Sequence, residues 1–236
     1  MKTGIISELH REFKGYAEPE YKKAQQWFFK EGIELYGVRL GTVRKIARER
    51  FKEINLKTKE HVFELCEQLL QTPKQEPLVV AFQWASKMEK EFTPSDFKLF
   101  ERWLKKYVKN WAACDDLCTG PFGELLVRYP HLIRKIIPWR HSKNRWVRRA
   151  AAVSLIPLGR TGKYTAEVFE AADALLTDTD DIVQKGYGWL LKETSNARPK
   201  EVFKFVIKRK DKMPRTALRY AIEKLSQSWR LQAMQK

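Results

Sequence analysis

Cysteine is scarce, with only Cys66, Cys114 and Cys118 in 236 residues. An odd, small number without paired spacing excludes a disulfide scaffold and fits a reducing compartment. Cys114 and Cys118 stand four apart, but no histidine joins them at zinc-finger spacing. They are expected to be small buried residues, and no metal is expected. The four histidines, His10, His61, His131 and His141, make no metal pair at helical spacing. No glycine-rich phosphate loop, GxSxG elbow or Cys–His nucleophile pattern is present. That removes conventional hydrolase and kinase chemistry and leaves no cofactor to expect. Long apolar runs are missing too, and MKTGIISELHREF is too polar for a signal peptide, so a cytoplasmic protein is expected.

Acidic residues are the next shortage. Residues 125–166 contain no Asp or Glu but ten Lys or Arg, and the whole chain carries a net charge of +17. Hydrophobics at 43% exclude a disordered tail, so this is a folded basic protein of one large domain or two small ones. The cations are spread over many short segments rather than beside one amphipathic anchor. Nucleic acid therefore leads over a membrane surface or an acidic protein as the partner. Tyr129, His131, Trp139, His141 and Trp146 are interleaved with the cations of the acid-free window. Cations hold a phosphate backbone through charge and counterion release, and aromatic rings can stack on sugars or bases.

Period-two alternation is almost absent, which excludes a sheet protein. Helical spacing runs instead through Pro19–Lys30, Thr42–Ile54, Lys59–Gln71, Pro77–Phe92 and Phe97–Val108. It continues through Trp111–Leu117, Phe122–Arg128, His131–Ile137, Arg145–Leu158, Thr165–Leu176, Asp180–Glu193, Lys200–Lys208 and Arg215–Ala233. Thr93-Pro94-Ser95-Asp96 reads as a helix start, with hydroxyl cap, proline in the first turn and a carboxylate three residues on. Such a succession suits stacked pairs in an α-α superhelix of HEAT-like repeats, in preference to a globular bundle. A curved solenoid of this kind offers a groove to a rod-shaped partner.

The stretch Asn110–Gly123, NWAACDDLCTGPFG, is where chemistry is expected. Asn110 is a helix cap, and Trp111 and Asp115 are four residues apart on one helical face, so an indole and a carboxylate sit side by side. Asp116 points about 100° away round the helix, so the two acids are not an obvious acid–base pair. Trp189, in QKGYGWLL, could supply a second aromatic wall. Gly186 and Gly188 are unusual inside a helical pattern, each costing about 1 kcal/mol relative to Ala. Close approach of a helix or ligand backbone, or a local break, would explain them.

The segments NWAACDDLC, NRWVRRAAAVSLI, IVQKGYGWLLKE and PRTALRYAIEKL, with the opening QQWFFKEGIELYGVRLGTVRKIARE, resemble the DNA alkylation repair proteins of the AlkD type over nearly the whole chain. The most specific matches are W-x-x-x-D at Trp111/Asp115, W-x-x-R at Trp146/Arg149, and W-L-x-K-E from Trp189. The resemblance implies a single C-shaped domain over residues 1–236, gripping duplex DNA on a basic concave face. It also implies glycosylase activity on N3- and N7-alkylated purines by a monomer without an obligate protein partner. By that similarity Asp115, Trp111 and Trp189 form the catalytic cluster. The expected DNA contacts are Arg149, with Arg148 as second choice, then Trp146, Lys143, Arg145, Lys192 and Trp27. Lys192 stands where the family pattern has Arg, which alters a phosphate contact. The resemblance further implies that the lesion is engaged through backbone and sugar without extrusion of the base. Two other readings fit the charge and the helices without chemistry: a non-catalytic relative that binds branched or damaged DNA, and a helical-repeat adaptor for an acidic protein.

Overall fold

The computed structural model describes residues 4–235. It is all-helical, and the extended backbone among the described residues makes a single parallel bridge, Glu34 to Lys74. The chain divides at Pro121 and Phe122 into two compact units.

The first unit carries α1 (Ile5–Gly15), α2 (Pro19–Phe28), α3 (Leu40–Glu53), α4 (Lys59–Leu70), α5 (Gln75–Ser86), α6 (Asp96–Tyr107) and α7 (Trp111–Thr119). Helix α3 packs on α5 and α5 on α7, while α4 packs on α5. That next-but-one adjacency is the signature of stacked helical pairs. Helix α5 is the spine: Pro77 to Phe82, Trp84 and Ala85 are buried, and Trp84 Nε1 donates to the Ala47 carbonyl of α3 at 2.8 Å. Rings of Phe63, Phe92, Phe100 and Trp103 pack together at centroid distances of 5.3–6.2 Å and fill the space between α4 and α6.

Two expectations for this unit need adjusting. No helix is expected before Pro19 from the sequence, yet α1 buries Leu9 and Phe13, and its Glu8 and Glu12 pair with Arg50 at 3.1 and 2.9 Å. Helix α6 opens at Asp96, not at Thr93. Asp96 accepts the Thr93 backbone N–H at 2.7 Å, so the carboxylate half of the expected capping arrangement forms without a hydroxyl cap. The same carboxylate binds Lys59 at 3.0 Å, which ties the start of α6 to the start of α4.

Between α2 and α3 the chain is not helical. Residues 33–38 form an extended strap across the head of α5. Glu76, almost wholly buried, accepts backbone N–H groups from Tyr36, Gly37 and Val38 at 3.0, 2.8 and 3.1 Å. Gly37 has φ +104°, and a Cβ there would lie 2.9 Å from both the Glu18 carbonyl and Lys22 Cβ, so only glycine fits.

The second unit carries α8 (Pro121–Arg128), which begins at the division, then α9 (Ile133–Ile136), α10 (Arg145–Val153), α11 (Ile156–Thr161) and α12 (Thr165–Ala174). Helices α13 (Asp181–Thr194), α14 (Pro199–Arg209), α15 (Arg215–Ile222) and α16 (Gln227–Met234) follow. The expected helix Arg145–Leu158 is two helices. Pro157 has no N–H to offer the Val153 carbonyl and so ends α10. The expected Arg215–Ala233 is also interrupted, and Ser226 caps the resumed helix by accepting from the Trp229 N–H at 3.4 Å.

Helix α13 is the spine of this unit, packed by α10, α11, α12 and α15. It is continuous through both of its glycines. A Cβ on Gly186 would lie 3.2 Å from Arg149 Cγ. One on Gly188 would lie 2.7 Å from Tyr220 Cβ and 2.9 Å from the Ala217 carbonyl. Helix-on-helix approach therefore accounts for them, and no break is involved.

Gly188→Ala should lower stability by about 1–3 kcal/mol in urea denaturation, because overpacking against the α15 backbone outweighs the gain in helix propensity. A stabilised variant would mean that α15 is free to move away.

Candidate active site

Helix α7 starts where its sequence says it should. The Asn110 side chain accepts the Ala113 N–H at 2.8 Å, which fixes the first turn. Trp111, the first helical residue, is half-buried. Its ring lies parallel to Phe29 at 4.9 Å with an interplanar angle of 3°, and the edge of Phe28 meets it at 6.0 Å. The indole is thus clamped by the residues that end α2. Asp115 follows one turn later, also half-buried, as the i, i+4 spacing requires.

These two side chains border a cavity of about 290 Å³ inside the first unit. Tyr21, Phe28 and Phe29 line one side, and Ile33, Leu35 and Val38 of the strap line another. Leu40, Val43 and Arg44 come from α3, Gln75, Glu76 and Val79 from α5, and Ala112 and Asp116 from α7. Asp115 and Asp116, about 100° apart round the helix, both line this cavity. Arg44 Nη2 lies 3.5 Å from Asp116 Oδ1. Burial pushes the Asp116 carboxyl up to about 6, and the charge of Asp115 adds to the shift while Arg44 opposes it.

The residues singled out as DNA contacts fare differently. Trp27 is 86% exposed at the end of α2, and Lys143 is exposed ahead of α10. Trp146 is 7% exposed and part of the core, with the Arg145 guanidinium 5.3 Å above its ring. Arg145 binds Asp180 at 2.6 Å, and Arg148 binds Asp178 at 2.7 Å and the Ser142 carbonyl at 2.9 Å. Arg149, preferred over Arg148 from the spacing, is the buried one at 5% exposure. It donates to the Ile182 carbonyl and packs on Gly186, so it clamps α10 to α13 from inside. Lys192 pairs with Glu223 at 2.6 Å. Trp189 is half-buried on α13. The acid-free window is therefore less cationic at its surface than its sequence suggests, because acids 30 to 35 residues later fold back onto it.

The family model described as DNA alkylation repair enzyme matches residues 9–225. The chain belongs to this family. A solved structure of a "predicted DNA alkylation repair enzyme" from Enterococcus faecalis has the same fold, with a TM-score of 0.78 at 19% identity over 89% of this chain and 97% of that one. No match was found among curated proteins. Membership supports a role in DNA alkylation repair. No helix of this family member, among the described residues, is long and apolar enough to cross a membrane, and none of its His, Cys, Asp or Glu residues group as a metal site.

Phe29, Arg44 and Glu76 belong to the site but were not singled out from the sequence. Only Glu76 left a signal there, as a lone carboxylate heading the otherwise apolar run PLVVAF.

The raised Asp116 carboxyl has a stability consequence with a defined sign. The unfolded chain releases this proton near pH 4 and the folded family member near 6, so the folded state binds more protons in between and stability falls as pH rises through that window. Asp116→Asn should be more stable than the parent by about 1–3 kcal/mol above pH 7 and indistinguishable from it below pH 4. Urea denaturation at the two pH values measures this; an equal effect at both would remove the burial argument.

Proposed function

We propose that the chain is a monofunctional DNA glycosylase that hydrolyses the N-glycosidic bond of cationic N3- and N7-alkylated purines in duplex DNA. The observation that carries this reading is the Trp111 indole, clamped parallel to Phe29, beside the half-buried Asp115 at a cavity in a chain of net charge +17.

Alkylation at N3 or N7 already makes the purine a cation, so no general acid has to protonate the leaving group. The C1′–N9 bond lengthens, its electron pair leaves with the base, and the base departs neutral. Positive charge passes to the deoxyribose as an oxocarbenium-like sugar. The Asp115 carboxylate stabilises that charge and orients a water, whose oxygen bonds to C1′ and whose proton is released. The indole face of Trp111 favours the same cation. One acid with aromatic walls is enough for this chemistry. The part of Trp189 as a further wall rests on the family resemblance.

For DNA binding, Lys143 and Trp27 have the exposure that a duplex contact needs. Arg145, Arg148 and Lys192 could each share an existing ion pair with a phosphate. Arg149 and Trp146 support the surface from beneath. The partner is duplex DNA carrying alkylated purines, bound by a monomer in the cytoplasm at the nucleoid.

Asp115→Asn should bind duplex DNA as the parent does and lose about 100-fold or more in single-turnover release of 7-methylguanine or 3-methyladenine. Release at the parent rate would remove Asp115 from the chemistry. Lys143→Ala should weaken binding to all duplexes alike and reduce the salt slope of log K by about 0.9, with unchanged unfolding. An unchanged slope would place Lys143 off the DNA.

A further inference from the structure

The groove between α15 and α16, in the second unit, carries positive charge that no acid answers. It holds about 570 Å³, and its lining includes Arg219, Ile222, Glu223, Arg230, Leu231 and Met234. Both arginines are exposed, and among the described residues neither guanidinium has an acid partner. Glu223, the one acid of the lining, is held instead by Lys192 of α13 at 2.6 Å. Arginines elsewhere in this unit are matched: Arg145, Arg148, Arg160 and Arg209 each bind a carboxylate. Leu231 is the second anomaly. It stands 61% exposed in the same groove, an apolar side chain left in water beside two unmatched cations.

The Lys192–Glu223 pair connects this groove to the helix of Trp189. Lys185, Trp189 and Lys192 are spaced by four and three residues, so they share one face of α13. Helix α15 packs on α13, and α16 packs on α14 and α15. The groove therefore opens one to two helix spacings from α13, roughly 10–20 Å. Along a duplex that is about three to six base pairs, at about 3.4 Å each. A guanidinium fork matches a phosphate bidentately, and an arginine without an acid partner binds one with no ion pair to break. Arg145, Arg148 and Lys192 lack that freedom. An acidic amphipathic helix would answer the same charge, but not the continuity with the face of α13.

We infer that the α15–α16 groove is a subsite for the DNA backbone flanking the lesion on one side. Arg219 and Arg230 each take a phosphate, and Leu231 covers the deoxyribose between them. The position of the lesion at Trp189 rests on the glycosylase reading above, whereas the affinity of the groove for backbone does not. Phosphate contacts carry no sequence information and serve to fix register. A backbone held at this distance limits how far the duplex slides past Trp189, and it does so without touching any base. The contact is compatible with engagement of the lesion through backbone and sugar, as the resemblance implies.

The test compares the full-length chain with Arg219→Gln/Arg230→Gln and with Lys204→Gln/Lys208→Gln, a charge-matched control at exposed positions of α14. Each is titrated at several salt concentrations with undamaged duplex and with duplex carrying one central 7-methylguanine. The damaged duplex is used intact or trimmed to about two base pairs on one side or the other, short of the groove. The groove variant should bind the intact duplexes about tenfold more weakly, with the salt slope of log K reduced by about 1.8 for two lost phosphates. Trimming one particular side of the damaged duplex should abolish its difference from the parent, and trimming the other should preserve it. Leu231→Ser should weaken binding about threefold with an unchanged slope, as the loss of an apolar contact requires. A parent-like slope in the groove variant overturns the subsite and leaves an acidic protein as the partner that fits the groove. An equal change in the α14 control, or a loss that persists whichever side is trimmed, also overturns it. Release of 7-methylguanine by the parent is measured separately. If there is none, the glycosylase reading falls, and the subsite stands or falls on the slope with undamaged duplex.

Discussion

The site depends on one buried carboxylate. Glu76 heads α5, where the helix dipole favours a negative charge, and three N–H groups of the strap close on its two oxygens. Hydrogen bonds to a charged group contribute about 1.5–3 kcal/mol each, and an unpaired buried carboxylate would be strongly destabilising. The strap is held on its other side as well, since the Gly37 carbonyl accepts the Glu18 N–H at 2.9 Å. With both sides tied, residues 33–38 become a wall, and the chain leaves α2 in the direction that lays Phe29 flat on Trp111. Without this wall the cavity would lose the side made by Ile33, Leu35 and Val38.

Charge is arranged at two scales in this family member. Over the whole chain the excess of cations draws a polyanion from a distance, an effect that depends on sum and sign. Within each unit the charges are matched locally. Arg145 and Arg148 are bound to Asp180 and Asp178, Arg160 and Lys224 to Glu193, and Arg50 to Glu8 and Glu12. These pairs orient helices on one another and cost little when half-exposed. At the cavity, Asp115 and Asp116 stand together, with Arg44 3.5 Å from Asp116. The steering field acts over a Debye length and the pairs over a few ångströms, so the two do not compete.

The second unit shows how tight packing replaces charge as the organising force. Helix α13 approaches α15 so closely that Gly188 has no room for a methyl group, and Gly186 accepts the stem of Arg149. Arg149 is thereby withdrawn from the surface to which its motif spacing had assigned it. A guanidinium buried this way is tolerable because it donates to the first-turn carbonyl of Ile182.

The amino-acid sequence by itself determined the elements and the one contact that local geometry fixes. Apolar residues at helical spacing specify the helices, Asn110 specifies where α7 starts, and a separation of four residues puts Trp111 beside Asp115 whatever surrounds them. Other helix ends were not read correctly: the expected helix Arg145–Leu158 ran through Pro157, and the cap Ser226 lay inside an expected continuous helix. The tertiary structure decided everything that needs a partner 30 or more residues away. It chose Phe29 to stack on Trp111, buried Arg149, paired the basic window with later acids, and brought Arg44 to Asp116. The reason is physical: a hydrogen-bonded turn reports on residues three and four apart, whereas burial and charge depend on which helices stack, and no short window of sequence contains both members of such a pair.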